Sequence, residues 1–339
     1  MLSHAKGNLQ QYFDLTNKAE LKLIEGKHRE AQKLYKEAFL YKDLAFSIDL
    51  YNSAITAILL KDKNEAFSSS FKLADRGVNS AFFSKNSEFQ YLKAADKNQW
   101  DSLLSYAAHK ATSFHTANFE LKNAISGLIK RDQQVHRAMA LNDTLFPETV
   151  VKKIDDSISA ELMKLFEKNG FLSEFNLGAE VRNDTVLAPY MDFNIIIRHN
   201  FQRIVSYDTL FVPICKKAIK DGLMHPYEYA NLRDSNPRNG NLFFGTSNYY
   251  IRYKCAIYLS NSMSKEEKRE IDSLRKGIDL PLLSESVLKI KYRIENPNTK
   301  FFFRDNYSIM GSFANPESEA MFKKYSIVIV PNLRNCNEQ

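Results

Sequence analysis

The sequence predicts a mainly α chain in two parts. Repeating helical hairpins fill residues 1–115, and a mostly helical domain at residues 116–339 ends in a few β-strands, an α+β arrangement. Three observations carry this expectation. The first third repeats small and large apolar residues at helical spacing, with a self-similar offset of about 35 residues. Beyond it, apolar stripes of helical period run between turn signals such as Asn169-Gly170 and Gly222. β-Branched and aromatic runs gather late, in "NLFFGTSNYYIRYKCAIYL" and "KYSIVIV". At 339 residues the chain exceeds what one core holds comfortably.

The first hairpin is read in "AELKLIEGKHREAQKLYKEAFLYKD". Ala19 and Leu23 precede a turn at Glu25-Gly26-Lys27, and Ala31, Leu34, Tyr35 and Ala38 follow. The second places Tyr51, Ala54 and Ile58 before a turn at Lys61-Asp62-Lys63, then Ala66, Ser70, Leu73 and Ala74. The small residues let paired helices approach, and the large ones fill the space beside them. Glu30-Ala31 aligns with Glu65-Ala66 across the offset. In period and in these elements the region resembles the tetratricopeptide repeat, without its Trp-Leu-Gly start or its closing Pro. Trp100, with Phe89, Leu92 and Leu103 nearby, is read as the anchor of a helical cap that closes the array near residue 115.

In the second part, "LKNAISGLIKRDQQVHRAMA" is an amphipathic helix with Leu121, Ile125, Leu128 and Ile129 on one face. "TVVKKIDDSISAELMKLFEKNGF" is a second helix, and "FNIIIRHNFQRIVSYDTLFVPICKKAIKDGL" holds two more, broken near Tyr207-Asp208. "HPYEYANLRDSN" is a helical turn entering a loop. The tail from Lys289 alternates basic and aromatic residues. It is read as edge strands, Phe301-Phe302-Phe303 and Ile327-Val328-Ile329-Val330 included, in preference to a single-strand nucleic-acid platform.

The order of these elements and their short motifs resembles a bacterial family catalogued as domain of unknown function 6624, over about residues 120–285. The matching positions are Asp132-Gln133 with Arg137, then His199, Asp234, Phe244-Gly245-Thr246-Ser247, and Arg275 ahead of Asp279-Leu280-Pro281. The chain departs from the family pattern at Ser235, Ser247 and Asp279, where the family has Arg, Gln and Gly. The resemblance implies positions and no chemistry.

Composition narrows the function classes. Hydrophobic residues at 44% exclude a largely disordered chain, and 11 glycines with 9 prolines disfavour Gly-rich phosphate loops. The net charge of +7 comes from 47 basic and 40 acidic residues interleaved as in "KHREAQKLYKEA", which reads as solvated surface. Nucleic acid is therefore not expected as a partner. Cys215, Cys255 and Cys336 stand far apart with no CxxC spacing, which points to a reducing compartment. With no signal-peptide pattern or membrane-length apolar run, the expectation is a soluble, cytoplasmic protein with no membrane contact.

Two functions compete. An adaptor would use the helical-repeat groove to hold another protein or peptide. An enzyme or small-ligand domain would gather His199, Asp234 and Thr246 as catalytic candidates, with Asp132, Gln133, Arg137, Gly245 and Arg275 around the ligand. Asp132 and Arg137 would pair along their helix, or Arg137 would hold an anion. Asp155-Asp156 is assigned to a charged helix face, and His109, His115 and His136 to exposed or partly packed positions. No metal site and no cofactor are expected.

Overall fold

The computed structural model describes residues 9–42, 44–141, 145–184, 186–188, 192–203, 208–235, 244–246, 249–253, 256–260, 263–305, 308–310, 317, 320 and 326–331. Ser247, Cys255, Cys336 and the break at Tyr207 lie outside them. The chain is mainly helical, as the periodicity predicts.

The first hairpin is α1 (Leu9–Ile24) with α2 (His28–Ala38), and the second is α3 (Ser47–Leu59) with α4 (Lys63–Ala74). The small residues at the pairing faces, Ala19, Ala31, Ala38, Ala54, Ala66 and Ala74, are all fully buried. Gly26 closes the first hairpin at φ +73°, a left-handed conformation that glycine enters without steric cost. In the second hairpin, Asp62 caps α4 by accepting from the Glu65 amide at 3.1 Å. Short helices α5 (Ser80–Lys85) and α6 (Gln90–Ala95), with a 3-10 turn at Ser87–Phe89, lead to the long α7 (Lys97–Ala117). Trp100 joins Phe89, Leu92 and Leu103 in the core of this region.

The second part opens with α8 (Phe119–Ala140) and α9 (Glu148–Asn169), an antiparallel pair. A short α10 (Glu174–Leu177) and a ribbon of β1 (Glu180–Arg182) with β2 (Val186–Ala188) follow. Then come α11 (Asn194–Arg203), α12 (Asp208–Lys220) and α13 (Pro226–Asp234). Strands β3 (Tyr249–Tyr253) and β4 (Ala256–Ser260) form an antiparallel hairpin, followed by α14 (Lys265–Lys276) and α15 (Leu283–Glu295). β5 (Ser308–Met310) and β6 (Ser326–Val330) complete a sheet of order β5-β3-β4-β6, in which β5 runs parallel to β3. No described helix is long and apolar enough to cross a membrane.

Two parts of the tail depart from the strand expectation. "KIKYRIE" is the end of α15, because Leu283, Ser286, Ile290 and Ile294 recur on one helical face and are buried. Phe301–Phe303 forms no strand either. Asn52 of α3 pairs with the Phe302 backbone instead, accepting from its amide at 3.0 Å and donating to its carbonyl at 2.7 Å. Phe301 and Phe303 bury themselves in the core of the repeats, so the last third of the chain completes the first core.

This return explains α3. Every residue from Ser47 to Ile58 is buried, which a helix achieves only with neighbours on all sides. One side faces the other repeat helices and the other faces residues 301–305. Arg304 pairs with Asp49 at 2.7 Å, Asp49 also accepts from the Tyr12 hydroxyl, and Lys289 pairs with Glu20 at 2.5 Å. Glu174 accepts from the Ser47 amide (2.6 Å) and hydroxyl (3.0 Å) at the α3 N-terminus, where a carboxylate is favoured. A cavity of about 20 Å³, room for about one water, remains among α1, residues 279–281, α15 and residues 304–305.

Candidate functional site

A polar layer crosses the packed helices α8, α9 and α11. The buried residues of α8 are Ile125, Leu128, Asp132 and Val135, so Asp132 occupies a core position of an apolar stripe. On α9 the buried set is Val151, Asp155, Ile158, Ser159, Leu162 and Phe166, and Asp155 stands in the stripe in the same way. Asp132 is 1% exposed and Asp155 2%. A carboxylate in such a place needs polar or cationic neighbours to offset lost hydration.

The neighbours are imidazoles. His199, on α11, sets Nδ1 3.0 Å from Asp132 Oδ1 and 2.9 Å from Oδ2. His136, one turn after Asp132, places Nε2 3.4 Å from Asp155 Oδ2 and 3.8 Å from Asp132 Oδ1. The two imidazole rings stack with centroids 3.5 Å apart and planes inclined by 29°. Gln133 donates to Asp132 Oδ2 at 2.8 Å. Asn200, next to His199, donates to Ser159 Oγ at 2.6 Å, which ties α11 to α9 one turn beyond Asp155. An ionised carboxylate only accepts, so with Asp132 in that form the contact calls for a proton on His199 Nδ1. Possible ligand atoms of Asp132, His136 and His199 all lie within 4.8 Å of one another, which makes these three a candidate cation group among the described residues.

Asp234, Gly245, Thr246 and Arg275 form a separate knot. Asp234, at the end of α13, accepts from the Phe244 amide (2.9 Å), the Thr246 amide (2.6 Å) and the Thr246 hydroxyl (2.7 Å). Burial pushes its carboxyl above the usual range, against the pull of those hydrogen bonds and the Arg275 charge. Arg275, fully buried, donates to the Phe244 and Pro281 carbonyls and to the Ser286 hydroxyl, each at 2.5 Å. Gly245 lies between them at φ +64°, where a Cβ would stand 2.9 Å from Leu283 Cδ1. These contacts join α13, the turn at 244–246, α14 and α15.

Among the described residues His199 and Asp234 share no hydrogen bond or ion pair, and the polar contacts of His199 are with Asp132 and His136 on α8. Arg137 is exposed and makes no ion pair with Asp132 among the described residues, because Asp132 points inward while a residue five positions on faces away. Asp156 is exposed as a charged face requires, but Asp155 is buried, so the pair splits. His109 and His115 are exposed, whereas His136 enters the layer. The i, i+4 pair Asp132/His136 was the available sequence signal, together with carboxylates standing in apolar stripes on consecutive helices. The expectation of no metal site stands beside one cluster among the described residues, Asp132, His136 and His199, whose possible ligand atoms lie close together. Comparison with protein-family models, curated proteins and solved structures finds no match to this chain. The functional reading rests on the geometry.

Proposed function

We propose that this chain is a catalytic or small-ligand-binding protein whose working centre is the Asp132–His136–Asp155–His199 layer, with the helical hairpins as internal scaffold. The observation that carries the reading is the Asp132–His199 contact at the heart of three packed helices. A carboxylate that fixes the tautomer of an imidazole prepares Nε2 as a base or a ligand. The imidazoles, 14% and 16% exposed, keep an opening to solvent.

Against an adaptor that uses the repeat groove stands the occupancy of that groove. Residues 301–305 already supply it with a backbone pair, an Arg304 ion pair and buried rings. The resemblance to the domain of unknown function 6624 family belongs to the same proposal. Its motif residues fall into two contact sets here, Asp132 with His199 and Asp234 with Thr246 and Arg275.

Hydrolysis of p-nitrophenyl acetate and p-nitrophenyl phosphate by the wild type and by H199Q tests the catalytic form. Loss of the base should lower turnover by at least about 100-fold. Equal rates in the two proteins, zero included, overturn it.

A further inference from the structure

We propose that Asp132, His136 and His199 bind one first-row divalent cation, with zinc the fitting probe. This deepens the reading of the layer as the working centre and rests on it.

The donor spacing is the first argument. Zinc ligands of nitrogen and oxygen lie about 2.0–2.1 Å from the ion, which sets tetrahedral neighbours about 3.3 Å apart. Asp132 Oδ1 is 3.0 Å from His199 Nδ1 and 3.8 Å from His136 Nε2. Those values bracket the tetrahedral edge, and the stacked rings of His136 and His199 turn about their side-chain torsions to aim both lone pairs at one ion. Asp132 and His136 share a helix face through their four-residue spacing, the geometry that helical metal motifs use. His199 comes from the neighbouring helix, and the Asn200–Ser159 bond fixes the position of that helix.

Donor chemistry and charge are the second. Two imidazoles and one carboxylate suit zinc, iron(II) and related ions, and three protein ligands leave a position open for water or substrate. Asp155 lies beside the three donors, 3.4 Å from His136 Nε2, close enough to become a fourth or to steer that ring. Asp132 and Asp155 are 1% and 2% exposed, and a dication beside them offsets the hydration that an ionised carboxylate loses there. Binding through Nδ1 moves the His199 proton to Nε2, so His199 serves as a ligand and no longer as a base while the ion is bound. Asp132 exchanges its hydrogen bond to His199 for a bond to the ion.

The test is titration of the chelator-stripped full chain with Zn²⁺ in competition with a chromophoric indicator, alongside the visible spectrum of the Co²⁺ form. One equivalent should bind. D132N and H199Q should each weaken it by at least about 100-fold and remove the d–d absorption of low-coordinate Co²⁺. H115Q, at an exposed histidine of α7, should bind as the wild type does. Absence of an equivalent, or undiminished binding in both D132N and H199Q, overturns the site. D132N is isosteric, and circular dichroism of the stripped proteins separates lost binding from lost fold. Ester turnover that H199Q abolishes without any metal uptake would sink this inference and leave the centre standing. Metal uptake without turnover would do the reverse.

Discussion

Replacing Asn52 by alanine tests how the last third of the chain is held to the first. The Asn52 amide is fully buried and makes a two-point bond to the Phe302 backbone, at 2.7 and 3.0 Å. Truncation leaves one N–H and one C=O of Phe302 without that partner. An unsatisfied buried group costs about 1–3 kcal/mol, and water reaching the small void recovers part of it. The expected loss is therefore about 2–4 kcal/mol, read from the urea midpoint. The Arg304–Asp49 pair and the buried Phe301 and Phe303 rings should keep the segment docked but looser. Trypsin should then cut at Lys300 and Arg304 faster than in the wild type. Asn52→Asp should be worse than alanine, because its second oxygen meets the Phe302 carbonyl and its charge lies on the helix that carries Asp49. A stability within about 0.5 kcal/mol of wild type, with unchanged proteolysis, would refute the clamp.

Two further expectations concern the scaffold. Gly245→Ala places a Cβ 2.9 Å from Leu283 Cδ1 on a backbone at φ +64°, which should cost about 1–2 kcal/mol with an unchanged urea slope. A neutral result would mean the turn at 244–246 can relax. His225 caps α13 by accepting from the Tyr227 amide, and burial, then Arg304 and Lys289, hold its imidazole basicity well below the ordinary value. The unfolded chain takes up the proton near pH 6.5 and the folded chain does not, so wild-type stability from this group is complete above that pH and falls as pH drops. Glu20, Glu174 and Glu228 act in the opposite sense, since burial raises their carboxyls, but they are common to wild type and variant. Relative to His225→Asn, wild type should lose roughly 1 kcal/mol between pH 6.5 and 5.5. A stability difference that stays constant over that range would show that His225 is not held neutral.

The sequence by itself determined the local elements. Alanines recurring at Ala31 and Ala66, the Gly26 turn and the β-branched runs of β3, β4 and β6 encode helix pairs and strands through side-chain period, which depends only on neighbours along the chain. Asp132 within Ile125, Leu128 and Val135 was legible in the same way. It is a carboxylate in a stripe that should be apolar, one turn before a histidine. Tertiary structure alone decided what those residues meet. His199 lies 67 positions from Asp132, and Phe302 lies 250 from Asn52. No period spans such separations, because each contact depends on how whole helices dock. Lys289 shows the cost of that ignorance. A lysine at a core position reads as surface until its partner is known, and the partner, Glu20, stands 269 positions away on α1. Charged and polar groups in the interior are specified in pairs, and pairing is a property of the packed chain.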